Sequence, residues 1–168
     1  KLTPSQVHAD NQFSWGPIQE VAKLFAGIFL TIIPVIAMLK AGVNGPFGSV
    51  VAAVTQPDGT PDVVMYFWIT GFLSSFLDNA PTYLVFFNTA GGDAQVLMTT
   101  MASTLAAISA GAVFMGANSY IGNAPNLMVK AIAEDRGIKM PSFFGYMAWS
   151  LCILIPLFVI MTFIWFRP

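Results

Sequence analysis

Charge is scarce in this sequence. Lys, Arg, Asp and Glu make up 9% of its 168 residues, against 56% hydrophobic. A soluble domain carries about 25% charged residues. The mean hydropathy of +0.71 agrees that little polar surface is left for water. Basic clusters are also missing: the net charge is −1, and the seven Lys and Arg are scattered. That excludes nucleic acid as a partner, because affinity there rests on grouped cations. Histidine and cysteine occur once each. His8, in a polar N-terminal stretch, cannot build a histidine metal site. Cys152 has no disulfide partner in the chain and reads as a small packed hydrophobe. A signal peptide is not visible, since the opening residues are polar and the first apolar run is too long for one.

What is present is a set of long runs without charge. Residues 24–39, 63–77, 94–129 and 140–166 contain 16, 15, 36 and 27 uncharged positions. A membrane helix needs about 20 apolar residues. The last two runs suffice outright, and the first two do so with interfacial ends. Core helices of a soluble protein are the competing reading, and four such runs in one short chain weigh against it.

In chain order, residues 1–14 are polar. Phe13 and Trp15 are placed like interfacial aromatics. A helix follows from Pro17 to Leu39, kinked at Pro34, with Thr31 placed to satisfy freed backbone and Lys40 closing it. Residues 41–61 are rich in glycine and proline and read as the longest non-helical stretch, with a short apolar helix over residues 48–55 as the alternative there. The next helix starts at Pro61-Asp62 and runs to Leu77. A shorter piece covers residues 82–87. A third helix, residues 94–115, is rich in small residues that let membrane helices approach closely. It is expected to be the most buried in protein. Residues 127–133 form a short helix, 134–139 an aqueous loop, and 143–166 a last span kinked at Pro156.

Two apolar tracts are interrupted in a similar way, by Asp78-Asn79-Ala80-Pro81-Thr82 and by Gly122-Asn123-Ala124-Pro125-Asn126. They share Asn-Ala-Pro, 44 positions apart. Pro81, Gly122 and Pro125 are the helix breakers. Irregular backbone at membrane depth persists only inside protein or beside water.

Residues 63–90 either cross the membrane or dip in and return. The arms flanking the break rise about 22 Å and about 13 Å at 1.5 Å per residue, each short of a core of about 30 Å. A re-entrant hairpin divides the Lys and Arg five to two across the membrane, and a full crossing divides them three to four. Positive charge favours the cytoplasmic side. The hairpin gives the cleaner bias and puts the N-terminus and the 134–139 loop in the cytoplasm. The expected fold class is therefore an all-α membrane protein, with three membrane-crossing helices, one of them broken, and one re-entrant helical hairpin.

Asp78 is the sharpest feature, a carboxylate between uncharged runs. Its burial is costly unless it is paired, solvated or protonated, and such residues commonly bind a cation or carry a proton. The competing reading is a helix cap. Asn79, Thr82, Asn118, Ser119, Asn123 and Asn126 are neutral oxygen donors that suit Na⁺, with Asp78, Asn79 and Asn123 as the first choices. For each asparagine, capping of a break is the alternative.

The pair Ser75-Phe76-Leu77-Asp78-Asn79-Ala80-Pro81 and Gly116-Ala117-Asn118-Ser119-Tyr120-Ile121-Gly122-Asn123-Ala124-Pro125-Asn126, with Arg136-Gly137-Ile138 after it, resembles the C-terminal half of the ion transporter superfamily. That group includes citrate transporters, arsenite pumps, NhaD-type sodium:proton antiporters and divalent-anion:sodium symporters. The likeness runs from about Phe13, is strongest over residues 71–139, and is closest to the citrate transporter and sodium:proton antiporter branch. It implies two inverted repeats with the site between them. Residues 1–168 would be the C-terminal repeat, its partner being a missing N-terminal half. Asp78-Asn79-Ala80 takes the hairpin-tip position, where the divalent-anion symporters carry Ser-Asn-Thr. A fixed anion there repels a multivalent anion unless a cation or proton accompanies it.

The reading is thus a multi-pass transporter of a bacterial inner membrane, not an enzyme. It needs no cofactor beyond Na⁺ or H⁺ as coupling ion. Its partners are the lipid bilayer, a small inorganic cation or small carboxylate, and possible further copies of itself. Na⁺/H⁺ antiport comes first. Na⁺- or H⁺-coupled citrate or dicarboxylate transport comes second, and a non-transporting membrane scaffold third.

Overall fold

The computed structural model describes residues 3–10 and 15–167. The expected interfacial placing of Phe13 lies outside them. Two compact units are found, Lys1–Ile33 and Pro34–Pro168. Helix α1 is Ser5–Asp10, and α2 is Gly16–Lys40 with Pro34 inside it. The Thr31 hydroxyl donates to the Gly27 carbonyl, 2.9 Å away. That carbonyl lies one turn behind Thr31, while Pro34 leaves the Leu30 carbonyl without its amide donor.

The second unit carries the rest. A 3₁₀ turn at Gly42–Asn44 leads to α3, Gly48–Ala53, so the short apolar helix forms. Helices α4 (Val63–Ser74) and α5 (Asn79–Thr89) flank the first break. Asp62 caps α4 by accepting from the Met65 amide at 3.0 Å. Next come α6 (Ala94–Met98) and α7 (Ala102–Phe114), followed by a 3₁₀ turn, Met115–Asn118. Helices α8 (Ala124–Asp135) and α9 (Phe143–Met161) follow, the latter ending in a π turn, Thr162–Phe166. Among the described residues there is no strand, only an isolated bridge between Thr55 and Pro61.

The expected helix over residues 94–115 is in fact two. The Thr99 hydroxyl donates to the Gln95 carbonyl at 2.7 Å and the Thr100 hydroxyl to the Val96 carbonyl at 3.2 Å. The Met101 amide reaches back to the same Val96 carbonyl, 3.0 Å away. Two adjacent hydroxyls competing for helix carbonyls disrupt the ladder with no glycine or proline present.

Helices α4 and α7 form the centre. Gly111 permits their approach, since a Cβ there would lie 2.5 Å from the Phe67 carbonyl oxygen. Ala107 and Ile108 are fully buried beside it. Phe67 is the hub of the core and meets Phe158 edge-on at 6.2 Å and Phe166 at 4.7 Å. The Trp68 indole N–H donates to the Thr162 hydroxyl at 3.0 Å, which ties α4 to the end of α9. The Tyr66 ring meets Phe86 edge-on, with centroids 6.3 Å apart. A straight helix would separate positions 66 and 86 by about 30 Å. The chain therefore reverses between α4 and α5, and α5 folds back beside α4.

Among the described residues one helix, Phe143–Phe166, is long and apolar enough to cross a membrane. Only 17% of its most apolar window is buried, so most of its apolar surface faces outward. Trp149, Phe144 and Ile153 are exposed along it, as is Cys152, which was expected to be packed. Helices Val63–Ser74 and Ala102–Asn118 are apolar but shorter.

Candidate functional site

A helix leaves its last carbonyls without partners inside the helix. In apolar surroundings other donors must replace water. The end of α4 shows where they come from. The Ser119 hydroxyl donates to the Ser75 carbonyl at 2.5 Å. The Ser75 hydroxyl lies 3.0 Å from the Met115 carbonyl and 2.9 Å from that of Gly71, and it accepts from Asn118 Nδ2 at 3.0 Å. The Ser74 hydroxyl donates to the Ala112 carbonyl. The helix leading into the first break is thus bonded directly to the second break.

The second break is closed by side chains from three places. Asn126 Nδ2 donates to the Gly116 carbonyl at 3.3 Å and the Ser119 carbonyl at 3.2 Å. The Tyr146 hydroxyl donates to the Ala117 carbonyl at 2.9 Å, and the Ser150 hydroxyl to the Asn118 carbonyl at 2.6 Å. Ser119 Oγ accepts from the amides of Ile121 and Gly122 at 3.2 and 3.0 Å. Four successive carbonyls, Gly116 to Ser119, are therefore each met by a side chain of α8 or α9. Gly122 is seated so closely that a Cβ would lie 2.6 Å from the Gly116 oxygen, 2.7 Å from that of Ser74 and 3.0 Å from that of Ser75. Asn118 is 2% exposed, and its Oδ1 is buried without a partner.

The first break is built differently. Asp78 stands before α5 with extended backbone, and its Oδ1 accepts from the Asn79 amide at 2.8 Å. It is half-buried. Thr82 is 1% exposed, and its hydroxyl donates to the Asp78 carbonyl at 3.0 Å. Pro81 falls in the first turn of α5, where its missing N–H costs nothing. Helix α5 thus starts at Asn79, three residues earlier than the sequence suggests. Asn79 and Ala80 line a cavity of about 480 Å³ together with Tyr83, Ser109, Ala112 and Val113.

Asn123 holds the matching place before α8, yet its side chain makes no cap bond. Pro125 sits in the first turn of α8, which begins at Ala124. The structure therefore gathers Asn118, Ser119 and Gly122 against the end of α4, with Asn126 holding their loop from α8. Asn79 and Ala80 face α7 instead. Among the described residues no hydrogen bond joins Asp78 to Asn123 or Asn126. Ser74, Ser75, Tyr146 and Ser150 are the members that sequence reasoning did not single out. The Ser74-Ser75 pair at the end of an apolar run was the available signal.

Chemically the first break offers one carboxylate, Asp78, and the second offers neutral oxygens. Such a donor set suits a hard monovalent cation or a proton rather than a metal of soft ligands. Among the described residues no three His, Cys, Asp or Glu side chains cluster.

The described residues are helical, with one outward-facing apolar span and two helix breaks, the second bonded to the helix that enters the first. A family model described as "Putative citrate transport" matches residues 1–166, and the chain belongs to that family. No curated protein and no solved structure matches it. Family membership and the apolar span together mark a membrane protein of the transporter class.

Proposed function

We propose that the chain is one repeat of a cation-coupled secondary transporter, with its site at the two breaks. The observation that carries this is the bonding of Ser75 to Asn118 and Ser119, which ties the helix entering the first break to the second break. The reversal between α4 and α5, marked by the Tyr66–Phe86 contact, supports a re-entrant hairpin whose tip is Asp78-Asn79-Ala80. Helix α9 supplies one crossing. Helix α2 and the broken α7–α8 path supply the other two in this multi-pass reading.

Asp78 is the coupling group. Its Oδ1 holds the start of α5 and leaves the second oxygen for Na⁺ or H⁺. Asn79, adjacent to it, and Asn123, which holds the matching place in the second break, are the proposed neutral donors. Na⁺/H⁺ antiport uses these groups as this repeat's share of the site. Na⁺- or H⁺-coupled citrate transport is the second reading, favoured by the family description and by the roomy cavity beside Asn79. In that case the partial positive charge at the start of α5 faces the substrate carboxylates. Reconstitution of the whole transporter in liposomes, with Na⁺ gradients and labelled citrate compared side by side, separates the two. Proton movement driven by Na⁺ alone supports antiport. Citrate uptake that requires Na⁺ or H⁺ supports the second.

A further inference from the structure

Two cavities adjoin where the chain leaves its apolar span. The first, about 240 Å³, is lined by Gln56, Asp62, Ser103, Trp165, Phe166 and Arg167. The second, about 410 Å³, is lined by Ala106, Ala110, Phe114, Met161, Trp165 and Phe166. Trp165 and Phe166 are walls of both. One compartment holds a carboxylate and a guanidinium, and the other is an apolar groove along α7.

The two charges do not neutralise each other. Asp62 Oδ1 accepts from the Met65 amide, while the Arg167 guanidinium lies 5.2 Å from the Phe163 ring centroid. Among the described residues neither makes an ion pair. A ligand matching this pocket carries a cation and an anion close together. A ligand matching the groove carries an apolar tail. Trp165 lies at the end of the span and Arg167 follows it directly, the usual level of the headgroups.

We infer that these cavities bind one phospholipid with a primary-amine headgroup. Arg167 takes the phosphate, since guanidinium is suited to phosphate oxygens. Asp62 and Gln56 accept from the ammonium, and an acyl chain lies along Ala106, Ala110 and Phe114. A trimethylammonium headgroup has no N–H to give Asp62, and a glycerol headgroup has no cation. The groove also accounts for Ala106, which is exposed on α7 where Ala107 and Gly111 are buried. This inference rests on the membrane reading of α9 but not on the identity of the transported ion.

The test is native mass spectrometry of the purified full chain in detergent, offered equal amounts of phosphatidylethanolamine, phosphatidylcholine and phosphatidylglycerol. One retained lipid is expected, with the ethanolamine lipid favoured about tenfold, the scale of one charged hydrogen bond. Asp62→Asn, which preserves the helix cap, should erase that preference. Arg167→Gln should weaken all three lipids. Equal retention of the three, or an unchanged preference in Asp62→Asn, overturns the proposal. So does displacement by soluble glycerophosphoethanolamine as effective as by the lipid, which would mean a free-headgroup site. A second protein copy retained in place of lipid overturns it too. The readout is a bound mass, so its failure leaves the transport proposal standing, and a failure of transport leaves this one standing.

Discussion

The hydroxyl of Ser119 donates to the carbonyl of Ser75. One bond thus joins the second helix break to the end of the helix that enters the first. Ser119 Oγ also accepts from two amides of its own loop, so it organises both sides of the joint. Ser119→Ala leaves a buried carbonyl and two amides without this partner. The expected loss is about 1–3 kcal/mol, the usual cost of an unsatisfied buried polar group. Thermal unfolding in detergent measures it. An unchanged midpoint would mean that the joint is not structural.

Gly122 faces three carbonyl oxygens within 3.0 Å of where a Cβ would stand. Gly122→Ala must push the loop away from α4. A destabilisation of about 1–3 kcal/mol, typical of overpacking, is expected. Transport should fall with it. Wild-type stability together with wild-type transport would show that the two breaks need not touch.

Tyr146 and Tyr120 stack with ring centroids 4.2 Å apart, but their hydroxyls do different jobs. Tyr146 holds the Ala117 carbonyl inside the break, whereas Tyr120 holds that of Pro141 ahead of α9. Tyr146→Phe should cost about 1 kcal/mol of stability, the net worth of one hydrogen bond. It should also speed proteolysis or hydrogen exchange around residues 116–122. Tyr120→Phe should leave exchange in that stretch near the wild-type rate. Equal effects from both variants would deny Tyr146 its particular role.

Asp58 offers a pH test outside the apolar segments. Its carboxylate accepts from the Thr60 hydroxyl at 2.6 Å and the Thr60 amide at 2.9 Å. These bonds hold its pKa below the ordinary value, the hydroxyl contributing most. A depressed carboxylate pKa favours the folded turn above the unfolded pKa, and that support is lost as pH falls through the folded value. Thr60→Val should raise the Asp58 titration midpoint, read by carboxyl NMR. No movement would rule out the hydroxyl as the cause.

Both breaks were legible in the sequence because each is written in local residues: proline or glycine, with a polar side chain beside it. The limits of the flanking helices were less so. Pro81 and Pro125 look like barriers, yet each sits in a first helical turn where no amide bond is lost, so α5 and α8 start earlier than expected. The interruption at Thr99 and Thr100 carries no breaker and arises from hydroxyls competing with the helix ladder. The partners of the second break were the least legible. Ser75, Tyr146 and Ser150 meet it across 43, 29 and 32 positions, and no local pattern specifies such pairings. Asp78 stood out as a lone carboxylate, but its bond to the next amide is a detail only the fold supplies.

The central claim is that Asp78 couples ion movement at the joined breaks. Its most direct test is Na⁺-driven proton movement in proteoliposomes carrying the whole transporter, with wild type compared against Asp78→Asn. The variant retains a side-chain oxygen for the Asn79 amide but cannot hold a charge or exchange a proton near neutral pH. Wild type should move protons in response to a Na⁺ gradient, and Asp78→Asn should lose that response while inserting and unfolding like wild type. Undiminished Na⁺-driven proton movement in Asp78→Asn would contradict the account.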